Sequence, residues 1–240
     1  MASRKINRQL VGMRRDWDRR ARENAHYYVA TGNEDWSEEE FYRSGEIHVE
    51  QHILNDLDNI CQGKDPKDMT VLEIGCGAGR ITRALACLFG RVYAVDISRE
   101  MVRRARRALR EFPNARVFRN SGKDLRVVRP DWWSRVVRRE VLKVDFVFSY
   151  IVFQHIPSRE IIENYVREVN RLLPPGGLFK FQVQGSSAVE IRSGDSWVGV
   201  PFTEREAREM ARRCGFEMRF HEGAGGQYYW LWFFKEREIS

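Results

Sequence analysis

The chain has 240 residues, a formal net charge of +7, 42% hydrophobic and 31% charged residues. That size suits one α/β domain with additions and allows a sizeable core. No apolar run reaches membrane-spanning length and the first residues lack a signal-peptide core, so a cytoplasmic protein is expected.

Residues 4–30 are predicted helical, because Ile6, Leu10, Met13, Trp17 and Ala21 recur at three- and four-residue spacing. Arginines cover much of the remaining surface of that helix. Three readings stay open: a cap packed on the main domain, a lid whose Trp17, Tyr27 and Tyr28 line a pocket, or a basic amphipathic helix lying on a membrane surface. Residues 31–37 form a loop. Ser37, with Glu40 three residues on, is a capping box for a second helix from Glu38 to about Cys61, with a pause near Ser44-Gly45. Gln62 to Pro66 turn the chain. The expected organisation is a helical cap over residues 1–65 and a core over residues 66–240.

Val71, Leu72 and Ile74 form a short apolar, β-branched run, which reads as a buried strand. Gly75-Cys76-Gly77-Ala78-Gly79 is a loop without bulky side chains, and Arg80 to Ala86 opens a helix. Strand, glycine loop and helix in that order let a ligand approach the backbone and face the helix amide dipoles. A second strand, Arg91 to Val95, ends in Asp96. That acid lies about 20 residues past the first glycine, the spacing of a carboxylate that binds ribose hydroxyls.

Ser98 caps a helix running to about Phe112, Pro113-Asn114 turn the chain, and Ala115 to Phe118 form a third strand. The five clustered arginines of the helix after Asp96, Arg103, Arg104, Arg106, Arg107 and Arg110, read as a solvated helix face, although a basic balance also suits nucleic acid, anionic lipid or acidic substrates. Residues 126–143 look like a helix or half-helix. Val144 to Tyr150 is a central strand, and a helix over residues 158–173, capped by Ser158, ends at Pro174-Pro175-Gly176-Gly177. Strand Leu178 to Val183 follows. Residues 184–202 are long for a loop, and Glu190, Arg192 and Trp197 are candidates to touch substrate. Thr203 caps a helix to about Cys214, and two antiparallel strands, Phe216 to His221 and Tyr228 to Lys235, close the chain. Cys61, Cys76, Cys87 and Cys214 are scattered, show no C-x-x-C and read as reduced and buried, with no metal site expected.

The stretch Glu73 to Gly79 resembles motif I of the class I S-adenosylmethionine (SAM) methyltransferases, E/D-x-G-x-G-x-G. The likeness extends over roughly residues 70–184, with a motif IV-like Ser149-Tyr150 and His155, an L-x-P-G-G turn before the next strand, and a final reversed strand. It implies a three-layer, Rossmann-like α/β fold with a mostly parallel seven-stranded sheet whose last strand is antiparallel. It also implies SAM as cofactor, with S-adenosylhomocysteine as product. The cofactor contacts it implies are Glu73, Gly75, Cys76, Gly77, Gly79, Arg80, Asp96, Ile97 and Met101, then Gly122, Asp124 and Leu125 with Ser121 beside them, and Ser149 and Tyr150. A carboxylate such as Glu73 suits a cationic ligand better than a pyrophosphate.

His155 has two readings, a general base or a histidine that holds its loop. An imidazole titrates near neutrality, and a general base adds roughly 10²–10⁴-fold in rate. Tyr27 or Tyr28 are expected to position an amine or close the site. The tetrapeptide N/D-P-P-Y/F of base-amine methyltransferases is absent near Ser149-Tyr150, and the loop after that strand carries no cysteine. Both observations argue against a nucleic-acid substrate. The expected reaction is methyl transfer to an O or N atom of a small molecule by in-line displacement. The alternatives are a phospholipid N-methyltransferase held on membranes by the basic first helix, and a SAM-binding regulator without turnover.

Overall fold

A computed structural model describes residues 2–128, 142–186 and 196–237. Most of the segment predicted as a helix or half-helix over 126–143, together with Glu190 and Arg192, lies outside the described residues. The chain divides into two compact units, residues 14–119 and residues 1–13 with 120–240.

Helix α1 spans Ala2–Val29 and buries Leu10, Met13, Ala21 and Ala25. Of the apolar stripe read from its sequence, Leu10, Met13 and Ala21 are buried and Ile6 and Trp17 are half-buried. The helix is broken at Asn24, where φ is −157° and ψ is 91°. The Asn24 carboxamide explains the break: its Oδ1 accepts from the Tyr27 amide at 3.1 Å and its Nδ2 donates to the Glu34 carbonyl at 2.9 Å. Asparagine is well suited to cap a new turn in this way.

Helix α2 covers Glu38–His52 and starts with the predicted Ser37/Glu40 capping box. It does not pause at Ser44-Gly45. It ends after His52, where a 3₁₀ turn at Leu54–Asp56 leads to the short helix α3, Leu57–Cys61. Gly45 is needed for close approach: a Cβ there would lie 2.4 Å from the Arg80 carbonyl oxygen. Alanine in a helix interior gains about 1 kcal/mol over glycine, whereas overpacking costs about 1–3 kcal/mol or more. Gly45→Ala is therefore expected to destabilise the protein by roughly 1–2 kcal/mol on balance. A denaturation midpoint equal to or above wild type would show that this contact gives way.

The same unit holds strands β1, Thr70–Ile74, β2, Arg91–Asp96, and β3, Ala115–Arg119, all parallel. Helix α4, Arg80–Leu88, follows β1, and helix α5, Arg99–Ala108, follows β2. Helix α5 stops short of the predicted Phe112, because Leu109 already leaves helical geometry ahead of Pro113, which restricts its predecessor. Arg106 turns back from α5 and donates to the Val117 carbonyl of β3 at 3.0 and 2.9 Å.

The other unit carries β4, Phe146–Ser149, α6, Arg159–Leu172, β5, Leu178–Val183, α7, Glu204–Arg213, β6, Phe216–Glu222, and β7, Tyr229–Lys235. Strand β5 pairs parallel with β4 and antiparallel with β7. All six β5 residues are buried, and its core face stacks Phe179 on Phe181 at 4.1 Å, with Phe153 and Phe233 against them. On the opposite face the Lys180 ammonium lies 4.5 Å from the Trp232 ring centre, a cation–π contact that helps a buried charge.

The seven strands follow the order β3-β2-β1-β4-β5-β7-β6, mostly parallel with β7 reversed, as predicted. Cys61, Cys76 and Cys214 are buried, but Cys87 is exposed, near the solvent-side end of α4, which corrects the expectation for all four. No helix among the described residues is long and apolar enough to cross a membrane.

Candidate functional site

Three glycines of the loop after β1 take positive φ: Gly75 at 80°, Gly77 at 52° and Gly79 at 90°. Side-chain-bearing residues resist that conformation. The loop is tied to β2, since the Gly75 and Cys76 amides both donate to the Val95 carbonyl, at 2.7 and 3.1 Å. It is also packed by its neighbours. A Cβ on Gly77 would lie 2.7 Å from Val29 Cγ2, and one on Gly79 would lie 3.1 Å from the Ala105 backbone. The last turn of α1 therefore rests on the glycine loop, and Ala21, Ala25, Phe41, Ala78 and Met101 form one buried cluster beneath it.

Asp96 sits at the end of β2, 8% exposed. Its Oδ2 accepts from the Gly77 amide at 3.0 Å and its Oδ1 from the Ser98 amide at 2.8 Å. The predicted ribose acid thus also shapes the loop. Burial pushes its carboxyl up to about 6, against the pull of those amides. Glu73 is more deeply buried, accepts from the Thr82 hydroxyl at 2.5 Å, and is pushed up to about 7 by burial. Cys76 is an inert, buried thiol raised well above its usual range by burial. Arg80 is also buried, and its guanidinium turns to α2, donating to Ser44 Oγ at 3.0 Å and lying 2.9 Å from His48 Nδ1. Ile97 is partly buried beside Asp96.

Asp18 belongs to no motif in the sequence. Its Oδ1 accepts from the Ser98 hydroxyl at 2.6 Å and the Glu100 amide at 3.1 Å, seating α1 on the first turn of α5. Burial opposes its ionisation, but the Ser98 hydroxyl, the Glu100 amide and the Arg119 charge hold it below the usual carboxylate range. Tyr27 and Tyr28 follow the Asn24 break and meet edge to face at 5.2 Å. The Tyr28 hydroxyl donates to Glu23 Oε2 at 3.2 Å, and the Arg20 guanidinium lies 5.1 Å from Trp17 and 5.9 Å from Tyr28.

The other unit holds the remaining predicted residues. Gly122 is buried with φ of 77°. Asp124 Oδ1 accepts from the Arg126 amide at 3.1 Å, and the amide of buried Leu125 donates to Glu168 Oε2 at 3.2 Å. Ser121 Oγ accepts from the Lys123 amide at 3.2 Å. Gly122 and Lys123 line an open cleft of about 480 Å³ together with Ile6, Leu10, Ile161 and Arg167. Ser149 is buried, and the Tyr150 ring lies 5.9 Å from that of Trp230.

His155 is buried on a 3₁₀ turn, Phe153–His155. Its Nδ1 donates to the Trp197 carbonyl, which places the proton on Nδ1 and makes Nε2 the basic nitrogen. The segment carrying Trp197 is laced to this turn, because the Gly199 amide donates to the Gln154 carbonyl at 2.6 Å and the Val200 amide to the Ile156 carbonyl at 3.2 Å.

Three further residues stand out. Asn120 closes β3, donates to the Tyr165 hydroxyl at 2.8 Å, and has a buried Oδ1 with no hydrogen-bond partner among the described residues. Ile151 takes φ of 53°, which costs a β-branched residue about 1–3 kcal/mol. Its amide donates to Oε1 of Gln182, a side chain 3% exposed, at 2.9 Å. Asn120 and Gln182 were visible as polar residues at the end of or within apolar strands, whereas Ile151 carried no sequence signal. Among the described residues, no group of three or more His, Cys, Asp or Glu side chains could hold a metal ion.

A mostly parallel sheet with a reversed β7, a glycine loop after β1 and an acid closing β2 make up the Rossmann-like methyltransferase fold. Residues 71–177 match the family model described as a methyltransferase domain. Among solved structures, the chain is similar to magnesium protoporphyrin IX methyltransferase from Synechocystis with bound SAH, at 16% identity and a TM-score of 0.63, covering 93% of this chain and 98% of that one. It is similar to DhpI in complex with SAH, at 20% identity and a TM-score of 0.61, covering 95% and 98%. It also resembles phosphoethanolamine N-methyltransferase 1 of Haemonchus contortus, at 12% identity and a TM-score of 0.66, covering 97% of this chain but 50% of that one. At these identities the likeness is one of fold. No curated protein matches the sequence.

Proposed function

We propose that the protein transfers the methyl group of SAM to an oxygen or nitrogen atom of a small-molecule acceptor. The observation that carries this reading is the Asp96 carboxylate gripping the Gly77 amide of a glycine loop flanked by two buried acids. Buried carboxyls raised by desolvation become better anions beside a cation, so Glu73 and Asp96 fit a ligand bearing sulfonium and ammonium charge. Bound SAM supplies a methyl already activated on sulfur.

The protein's part is mainly placement, worth at best about 7–11 kcal/mol. The glycine loop and Asp96 hold the cofactor, with Ile97, Met101, Gly122, Asp124, Leu125, Ser149 and Tyr150 as the further contacts implied by family resemblance. His155 Nε2 removes the proton of an acceptor hydroxyl or ammonium, because Nδ1 is committed to Trp197. Tyr27 and Tyr28, on the turn that rests against Gly77, close the site. A lipid-docked enzyme is less well supported, because Leu10, Met13, Ala21 and Ala25 of α1 are buried and would have to leave the fold to enter a membrane interface.

Calorimetric titration with SAM and SAH tests the cofactor, and SAM consumption over a panel of hydroxyl and amine acceptors tests the reaction. Binding with turnover is expected, and His155→Ala should lower turnover roughly 10²–10⁴-fold while SAM affinity holds. Binding without turnover on any acceptor would favour a regulatory protein, and no binding would remove the proposal.

A further inference from the structure

Two non-glycine residues among those described take positive φ, Gln62 and Ile151. Gln62 is the C-cap of α3, where a left-handed residue is an ordinary way to end a helix. Ile151 ends no helix. It lies two residues past β4, between Tyr150 and the turn that carries His155. Elsewhere the chain uses glycine where it needs this conformation, as at Gly75, Gly77, Gly79, Gly176 and Gly215. A β-branched residue in the left-handed region persists only when its surroundings over-determine it.

The surroundings do so from three sides. Upstream, the Tyr150 ring lies against Trp230 of β7. Downstream, Phe153 is fully buried against Phe181, Phe179 and Tyr165, with ring centres at 5.1, 5.8 and 5.6 Å. From the side, Gln182 of β5 reaches across to accept the Ile151 amide at 2.9 Å. Gln182 sits one residue beyond Phe181, the partner of Ser149 in the β4–β5 register, so its carboxamide faces the point where β4 stops.

We infer that Ile151 and Gln182 are positioning residues, a loaded turn that holds Ser149, Tyr150 and the His155 turn in the one arrangement the cofactor meets. This rests on the SAM-dependent reading above. An unstrained turn would let the two residues before it and the four after it settle independently. Isoleucine with a buried carboxamide partner removes that freedom, and the strain is the consequence.

The test uses the full chain and SAH as probe. Ile151→Gly and Ile151→Ala both delete the side chain, but only glycine accepts the positive φ freely. Ile151→Gly is expected to melt several degrees above Ile151→Ala and yet to bind SAH at least fivefold more weakly than wild type, with Ile151→Ala within about twofold of wild type. Gln182→Met keeps length and loses the acceptor. It should weaken SAH binding to a similar extent, and the Ile151→Gly/Gln182→Met double variant should be no weaker than the weaker single one, since both act through one turn.

A purely structural role would move melting and affinity in the same direction. SAH binding by Ile151→Gly equal to wild type, Ile151→Ala melting above Ile151→Gly, or full additivity in the double variant would each overturn the inference. Failure of wild type to bind SAH would instead overturn the cofactor reading.

Discussion

Asp96→Ala is expected to weaken binding of both SAM and SAH at least tenfold, about 1.4 kcal/mol. It should also lower stability. The carboxylate accepts two amides, from Gly77 and Ser98, and its loss strands both in a buried setting. Each stranded donor costs about 1–3 kcal/mol. Asp96→Asn separates loop support from ligand contact. The carboxamide oxygen can still accept one amide, while its NH₂ repels the other, so part of the stability should return. If affinity recovers in step with melting temperature, Asp96 acts by shaping the loop. If melting recovers and affinity does not, the charge itself meets the ligand. Asp96→Ala binding as tightly as wild type would exclude both roles.

SAM affinity is expected to rise with pH between about 5 and 8, with protons released on binding. Burial raises Asp96 to about 6 and Glu73 to about 7. The sign follows from which state binds the proton. In the unfolded chain these groups ionise near 3.8 and 4.5, so over the intervening range only the folded protein holds the protons. Their contribution to stability is therefore fully present below the unfolded values and is lost as pH rises through 6 and 7. A cationic ligand favours the ionised acids and reverses this loss. Below the folded values binding must expel a proton, at up to about tenfold in affinity per pH unit for each group. SAH lacks the sulfonium charge, so its profile should be shallower. Titrations in buffers of different ionisation enthalpy measure the released protons directly. A flat SAM profile with no proton release would show that neither acid senses the ligand.

Much of this was legible in the chain itself. The β1-loop-α4 unit is written in a short apolar run, three glycines and an apolar helix, so both its type and its position follow from local chemistry. The position of Asp96 at the end of β2, beside the glycine loop, was legible by spacing alone. Other features depend on partners far away in sequence. Gly45 reads as a helix break because glycine weakens helices, yet its reason is the Arg80 backbone, 35 residues on. Trp197 reads as a substrate contact, whereas its carbonyl is what fixes the His155 tautomer. Ile151 was illegible for a sharper reason. Isoleucine signals an extended residue, and only the Gln182 carboxamide with the packing around Phe153 makes it adopt the opposite hand. Cys87, like the other scattered cysteines, reads as buried, but the outward side of α4 is set by packing, which composition does not report.

The Arg106 contact with β3 bears on how the protein behaves in a crowded solution. Among the described residues β3 is the outermost strand on its side of the sheet, so one row of its backbone groups faces no neighbouring strand there. Such a row is a template on which another molecule can lay a strand of its own, the first step toward fibrillar assembly. Arg106 occupies the Val117 carbonyl with two donors, and Arg116 and Arg119 stand exposed on the same strand. A newcomer would have to displace a guanidinium and bring its backbone in beside fixed positive charge. One arginine of the solvated α5 face thus also covers the edge carbonyl where an added strand would dock.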